Sequence, residues 1–215
     1  MPIEVTKPEP RLLPVLLLVD TSGSMSVDGK IDVLNDAISR MIAAFQKLTM
    51  PGCEVALTVI SFGGSAAIHL NSTLISEVSW KPLGAAGTTP MGDAFRLASQ
   101  ILNDESATPT RSFKPNIILV SDGLPTDEWR EPLKELGSSE HGKRAFRFAV
   151  GIGSDARMDV LKDFAGKDGE VVPAERVELL TEFFRFVTFT VTRTVKSQTE
   201  LPTFKNISTD EMIEF

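Results

Sequence analysis

The chain of 215 residues has a single cysteine, no tyrosine, two histidines and no cluster of lysine and arginine. Cys53 alone cannot form an internal disulfide, so nothing marks the chain for an oxidising compartment. The formal charge of −7 argues against nucleic acid and anionic membrane as partners, because those surfaces bind clustered cations. No apolar run approaches the ~20 residues that a membrane span needs. The segment from Met1 to Pro14 holds four prolines and lacks the apolar stretch of a secretory leader, which makes the cytoplasm the expected location. The missing tyrosine excludes nothing.

What is present is ordinary in amount and specific in arrangement. With 42% hydrophobic and 24% charged residues, the chain can bury one substantial core. The expected layout is an extended, proline-spaced lead-in over residues 1–11, a single α/β domain over 12–199, and a tail over 200–215 in which Phe204, Ile207, Met212, Ile213 and Phe215 stand among acidic residues. So many large apolar side chains are costly to leave in water, so the tail is expected to pack on the body or on a partner.

Pro14 to Val19, Glu54 to Phe62, Asn116 to Ser121 and Phe146 to Val150 read as strands, apolar on both faces as buried parallel strands are. Val171-Val172 adds a short last one. After Gly63-Gly64, the segment Ala66 to Leu70 reads as the antiparallel partner in an edge hairpin. Leu34, Ile38, Met41, Ile42, Phe45 and Leu48 recur at three and four, the spacing of an amphipathic helix. Helices are also expected from Pro90 through Leu102, from Trp129 to Leu136 and from Met158 to Phe164, with a long closing helix over Glu175 to Thr199. Within the last, Thr188 to Thr192 alternates with period two and competes as a strand. Leu74 to Leu83 has no clean period. Strands alternating with helices give a doubly wound, mostly parallel sheet with helices on both faces.

Such a sheet gathers its ligands at the carboxyl ends of the strands. Three loops are expected there: Asp20 to Met25, Gly87 to Gly92 and Asp122 to Asp127. Asp20, Ser22 and Ser24 can turn their oxygens toward one point because Gly23 lets the backbone bend. The loops offer carboxylates and hydroxyls with no imidazole or thiolate, a donor set that suits Mg²⁺, with Mn²⁺ or Ca²⁺ as alternatives, over zinc or copper. Neutral hydroxyl ligands leave the ion appreciable Lewis acidity, and an open position would attract a carboxylate from a partner.

Asp20-Thr21-Ser22-Gly23-Ser24 after an apolar strand, Thr89 in a glycine-rich loop before a helix, and Asp122-Gly123 after a second apolar strand resemble the metal-ion-dependent adhesion site of von Willebrand factor A domains. The resemblance extends from about Leu12 to Val195. It implies Ser22, Ser24 and Thr89 as direct ligands, Asp20 and Asp122 as direct or water-mediated ones, and a module that binds proteins rather than catalysing. Thr88 is the neighbouring alternative to Thr89. Asp122-Gly123-Leu124-Pro125-Thr126-Asp127-Glu128-Trp129, with the Phe-rich closing helix, is similar to the bacterial TerY-like group associated with tellurium resistance. That similarity implies a cytoplasmic adaptor acting beside a Ser/Thr kinase and a phosphatase.

Other features have plainer readings. Thr126 and Asp127 are expected to cap the helix that follows, Trp129 to pack, and Asp93 to favour a helix N-terminus. His69 and His141 have no carboxylate or serine in a suggestive arrangement, and Cys53 at a strand start reads as an inert thiol. Gly151-Ile152-Gly153-Ser154-Asp155-Ala156 matches a dinucleotide fingerprint, but late in the chain and before a short helix. The enzymatic alternative is phosphoryl transfer of the haloacid-dehalogenase type, with Asp20 as nucleophile. That chemistry wants a second carboxyl group two residues on, where Ser22 stands.

Overall fold

A computed structural model describes residues 9–154, 156–174, 179, 182–188 and 190. The strands are β1 (Arg11–Asp20), β2 (Cys53–Gly63), β3 (Ser65–Leu74), β4 (Asn116–Ser121), β5 (Phe146–Ile152) and β6 (Glu170–Ala174). They form one six-stranded sheet in the order β3-β2-β1-β4-β5-β6. Only β3 runs antiparallel, on the edge beside β2. The helices are α1 (Lys30–Lys47), α2 (Met91–Asn103), α3 (Arg130–Ser138), α4 (Glu140–Arg144) and α5 (Met158–Ala165).

The unbroken apolar run of β1 is explained by a core on each side of it. Val15, Leu17 and Val19 pack with Leu34, Ile38, Met41 and Phe45 of α1 and with Phe183, Phe184, Phe186 and Val187 of the helical residues 182–188. Leu16 and Leu18 face the other way, against Met91, Phe95 and Ala98 of α2, Leu133 of α3 and Phe164 of α5. Successive side chains of a strand point to opposite faces, so a strand covered on both faces must be apolar throughout. Phe95 and Phe164 stack with ring centroids 5.6 Å apart, tying α2 to α5 on that second face.

The expected doubly wound α/β architecture is therefore the observed one, with local corrections. β1 begins at Arg11 rather than Pro14, because Arg11 is anchored: its Nε donates to the Arg111 carbonyl at 2.8 Å and its guanidinium lies 4.2 Å from the Phe113 ring centre. β3 continues to Leu74, beyond Leu70, through register shifts against β2 that a strict alternation would miss. A single 3-10 turn, Ile75–Glu77, follows it within the stretch that has no period. The five-residue α4 was not expected; it is held by Ser139, whose hydroxyl accepts from the Gly142 amide at 3.0 Å. α2 starts at Met91, one residue after the expected Pro90. Of the closing helix, residues 182–188 are helical, including Thr188, whose hydroxyl donates to the Phe184 carbonyl at 2.8 Å. Residues 179 and 190 are helical as well, while residues 175–178, 180, 181, 189 and 191–199, residues 1–8 of the lead-in and the tail lie outside the described residues.

The minor residues behave as simple chemistry asks. Cys53 is buried and its thiol is pushed up to about 11, chiefly by desolvation. His141 is buried, its Nδ1 accepting from Arg144 at 3.0 Å, while His69 meets the Lys81 carbonyl at 2.9 Å and the edge of Trp80. Trp129 is buried, as expected. No described helix is long and apolar enough to cross a membrane.

Candidate metal centre

β1 and β4 are neighbours at the point where the chain order of the sheet reverses, with β2 on one side and β5 on the other. Connections leave such neighbours toward opposite faces and open a crevice at their carboxyl ends. Asp20 is the last residue of β1, and Asp122 directly follows β4. Both are buried, as are Ser22 and Thr89, while Ser24 is exposed at the mouth.

A directed relay of hydrogen bonds joins them. The Ser24 hydroxyl donates to Asp122 Oδ1 at 2.7 Å. Its one proton is then committed, so the 2.9 Å contact between Ser22 Oγ and Ser24 Oγ has Ser22 as donor. Both hydroxyls keep lone pairs for a further electrophile. Asp20 is fixed from two sides, its Oδ1 accepting from the Ser22 amide at 2.9 Å and its Oδ2 from the Ser121 hydroxyl at 2.6 Å. A Cβ placed on Gly123 would lie 3.8 Å from Ser24 Oγ and 3.9 Å from Thr89 Oγ1, which brings the Thr89 hydroxyl to the same mouth. Thr88 is exposed and spends its carbonyl on the Gly64 amide at 2.8 Å. All five candidate residues, Asp20, Ser22, Ser24, Thr89 and Asp122, are thus assembled from three loops.

Backbone bonds set the loops against one another. The Gly23 amide donates to the Gly87 carbonyl at 2.9 Å and the Ala86 amide to the Thr21 carbonyl at 2.8 Å, stitching the first loop to the second. The second and third are joined by a reciprocal pair: the Thr126 amide donates to the Thr89 carbonyl at 2.9 Å, and the Thr89 amide to Thr126 Oγ1 at 3.1 Å. Asp127 adds two bonds, accepting from the Gly92 and Asp93 amides at 3.0 and 2.9 Å. Thr126 and Asp127 do cap a helix region, but it is the start of α2 and not the helix that follows them. α3 is served instead by Glu128, which accepts from the Arg130 amide at 2.9 Å.

Sequence reasoning missed two contributors. Ser121 was read only as a strand end, yet it holds Asp20. Lys30, the first residue of α1, reaches Asp122 Oδ2 with its ammonium at 2.6 Å. Its signal was a basic residue in the first turn of a helix, where the dipole disfavours one.

The electrostatics ask for a cation. Burial pushes the Asp20 carboxyl above its ordinary value, against the lowering bonds from Ser121 and Ser22, and the charge of Asp122 pushes it further up. Lys30 answers Asp122, whereas Asp20 has no ion-pair partner among the described residues. The donors are carboxylate and hydroxyl oxygens, and among the described residues no three His, Cys, Asp or Glu side chains cluster. This set fits a hard, oxygen-loving divalent ion.

The sequence profile of the von Willebrand factor type A domain matches residues 15–186. The chain belongs to this family. Searching curated proteins by sequence finds no match. Among solved structures, the VWA fold of this chain superposes on a von Willebrand factor type A protein from Catenulispora acidiphila with a TM-score of 0.65 at 20% identity, covering 86% of this chain and 43% of that one. The ArnB paralog VWA2 from Sulfolobus acidocaldarius gives 0.61 at 20% identity, with 84% and 46% covered. Proximal thread matrix protein 1 from the mussel byssus, in a structure with a zinc-occupied MIDAS motif, gives 0.63 at 16% identity, with 87% and 46% covered. The chain therefore spans a little under half the length of these relatives.

Proposed function

We propose that this VWA domain is a non-enzymatic docking module in which Asp20, Ser22, Ser24, Thr89 and Asp122 hold one divalent cation, Mg²⁺ foremost and Mn²⁺ or Ca²⁺ as alternatives. The bound ion supplies an open, Lewis-acidic position for an Asp or Glu side chain of a protein partner. The observation that carries this reading is the Ser22-to-Ser24-to-Asp122 relay beside the buried Asp20, which has no ion-pair partner among the described residues. Protons point away along the relay and lone pairs remain for the ion. A zinc-occupied MIDAS motif in the mussel relative supports the same use of the fold.

The phosphoryl-transfer alternative finds no such support. The family is a different one, and the position two residues after Asp20 is a hydroxyl already committed to Ser24. The octapeptide Asp122 to Trp129 favours, within the interaction class, a cytoplasmic adaptor of the TerY-like kind, working beside a Ser/Thr kinase and a phosphatase in tellurium or general stress signalling.

Pull-down from a bacterial lysate, with Mg²⁺ and with chelator, tests the reading. The expected outcome is a partner retained only with Mg²⁺, eluted by chelator and lost with Asp122→Ala. Retention that is indifferent to chelator and to Asp122→Ala contradicts it.

A further inference from the structure

Lys30 is out of place by local rules and well placed by tertiary ones. It opens α1, where the helix dipole disfavours a positive charge, while Asp32 beside it is the residue that position favours. Two left-handed residues, Asp28 at φ 54° and Gly29 at φ 68°, precede it and set its backbone. From there its ammonium reaches Asp122 Oδ2 at 2.6 Å, with the side chain 16% exposed and that of Asp122 1%. Its far end runs past Gly153, where an added Cβ would lie 3.5 Å from both Cε and Nζ. The left-handed φ of 84° at position 153, just after β5, favours glycine there. Gly151 is held to glycine by packing, since an added Cβ would lie 2.8 Å from Ala156 Cβ and Leu161 Cδ1.

The two oxygens of Asp122 are divided. Oδ1 takes the Ser24 hydroxyl that belongs to the proposed ion site, and Oδ2 takes Lys30. We infer that Lys30 is a tethered counter-cation that sets the affinity of this site: it cancels one of the two carboxylate charges, so that the divalent ion is held weakly and keeps most of its attraction for an external carboxylate. This inference rests on the metal reading above. Its physical content is Coulombic, since an ammonium in direct contact with one carboxylate of a buried pair repels an incoming dication. A site with both carboxylates uncompensated holds the ion more tightly and neutralises more of its charge. Lys30 therefore trades ion affinity for ligand capture and makes the two events interdependent.

Manganese titration of the full chain, followed by electron paramagnetic resonance and repeated by calorimetry, tests this on wild type, Lys30→Met, Lys30→Gln and Lys30→Arg. Thermal melting verifies that each is folded. Lys30→Met and Lys30→Gln are expected to tighten Mn²⁺ binding ~10-fold, with Lys30→Arg close to wild type. In an Asp122→Asn background the Lys30→Met gain is expected to vanish. Equal or weaker Mn²⁺ binding by both neutral variants, with wild type binding normally, overturns the inference alone. Absence of Mn²⁺ binding in folded wild type and in both neutral variants overturns the metal reading and the inference with it.

Discussion

Asp20→Ala is expected to abolish divalent-ion binding and partner capture while leaving the fold in place. Asp20 is the carboxylate for which the described residues provide no cation, so the ion is its natural counter-charge. Removing it leaves a site built on one carboxylate already neutralised by Lys30 and on neutral hydroxyls, which hold a dication poorly. The stability effect is smaller because two terms oppose. The Ser22 amide and the Ser121 hydroxyl lose their acceptor, at roughly 1.5–3 kcal/mol for a bond to a charged group. Against this, a desolvated charge is removed. Burial holds the folded carboxyl above its ordinary value of 3.8, so the folded state binds the proton more readily than the unfolded state does. The Asp20 contribution to metal-free stability is therefore most favourable below that ordinary value and declines as pH rises through the raised one. Denaturant melts across pH are expected to show that decline in metal-free wild type and its loss in Asp20→Ala. A variant that binds Mn²⁺ as wild type does removes Asp20 from the site.

Gly92→Ala is expected to destabilise the fold, against what helix propensity asks. Within α2, alanine is worth about 1 kcal/mol over glycine, so helix propensity alone predicts a gain. Packing reverses the sign. A Cβ at 92 collides with the Glu128 carbonyl oxygen and comes within 2.9 Å of Asp127 Oδ2. The third loop must retreat, and with it go the two Asp127 bonds to α2 and the reciprocal Thr89–Thr126 pair. A net loss of ~2–4 kcal/mol is expected from urea denaturation. Weaker Mn²⁺ binding should accompany it, because Thr89 is no longer held at the mouth. Greater stability in Gly92→Ala would show that the clamp is not as tight as the geometry states.

The parts of this molecule that are legible from sequence are those governed by short-range periodicity. β1 and β4 announce themselves because burial on two faces leaves no polar position, and α1 because its stripe faces one core. The five oxygen-bearing residues stand at strand ends in recognisable patterns. What pairs with them is not written locally. Ser121 meets Asp20 across 101 positions and Lys30 meets Asp122 across 92, so no window of sequence contains either bond. Asp127 shows the same limit from another side. Its position before a helix gives it the look of a cap for α3, but its carboxylate turns to the amides of α2, 34 and 35 residues earlier. A capping rule names the residue type that satisfies a free amide and is silent on whose amide it is. α4 escaped notice because five residues are too few to show a period.

In the proposed docking module, one divalent ion binds at the junction of these three loops and is the means of capturing a carboxylate. The most direct test is titration of chelator-treated wild-type protein with Mn²⁺, with binding read by electron paramagnetic resonance, alongside the Ser22→Ala/Ser24→Ala double variant. The expected result is one ion per chain in wild type, a change in the Mn²⁺ signal when an acidic peptide is added, and neither in the double variant. Mn²⁺ binding that is absent in folded wild type, or that persists unchanged in the double variant, contradicts the metal-mediated docking reading.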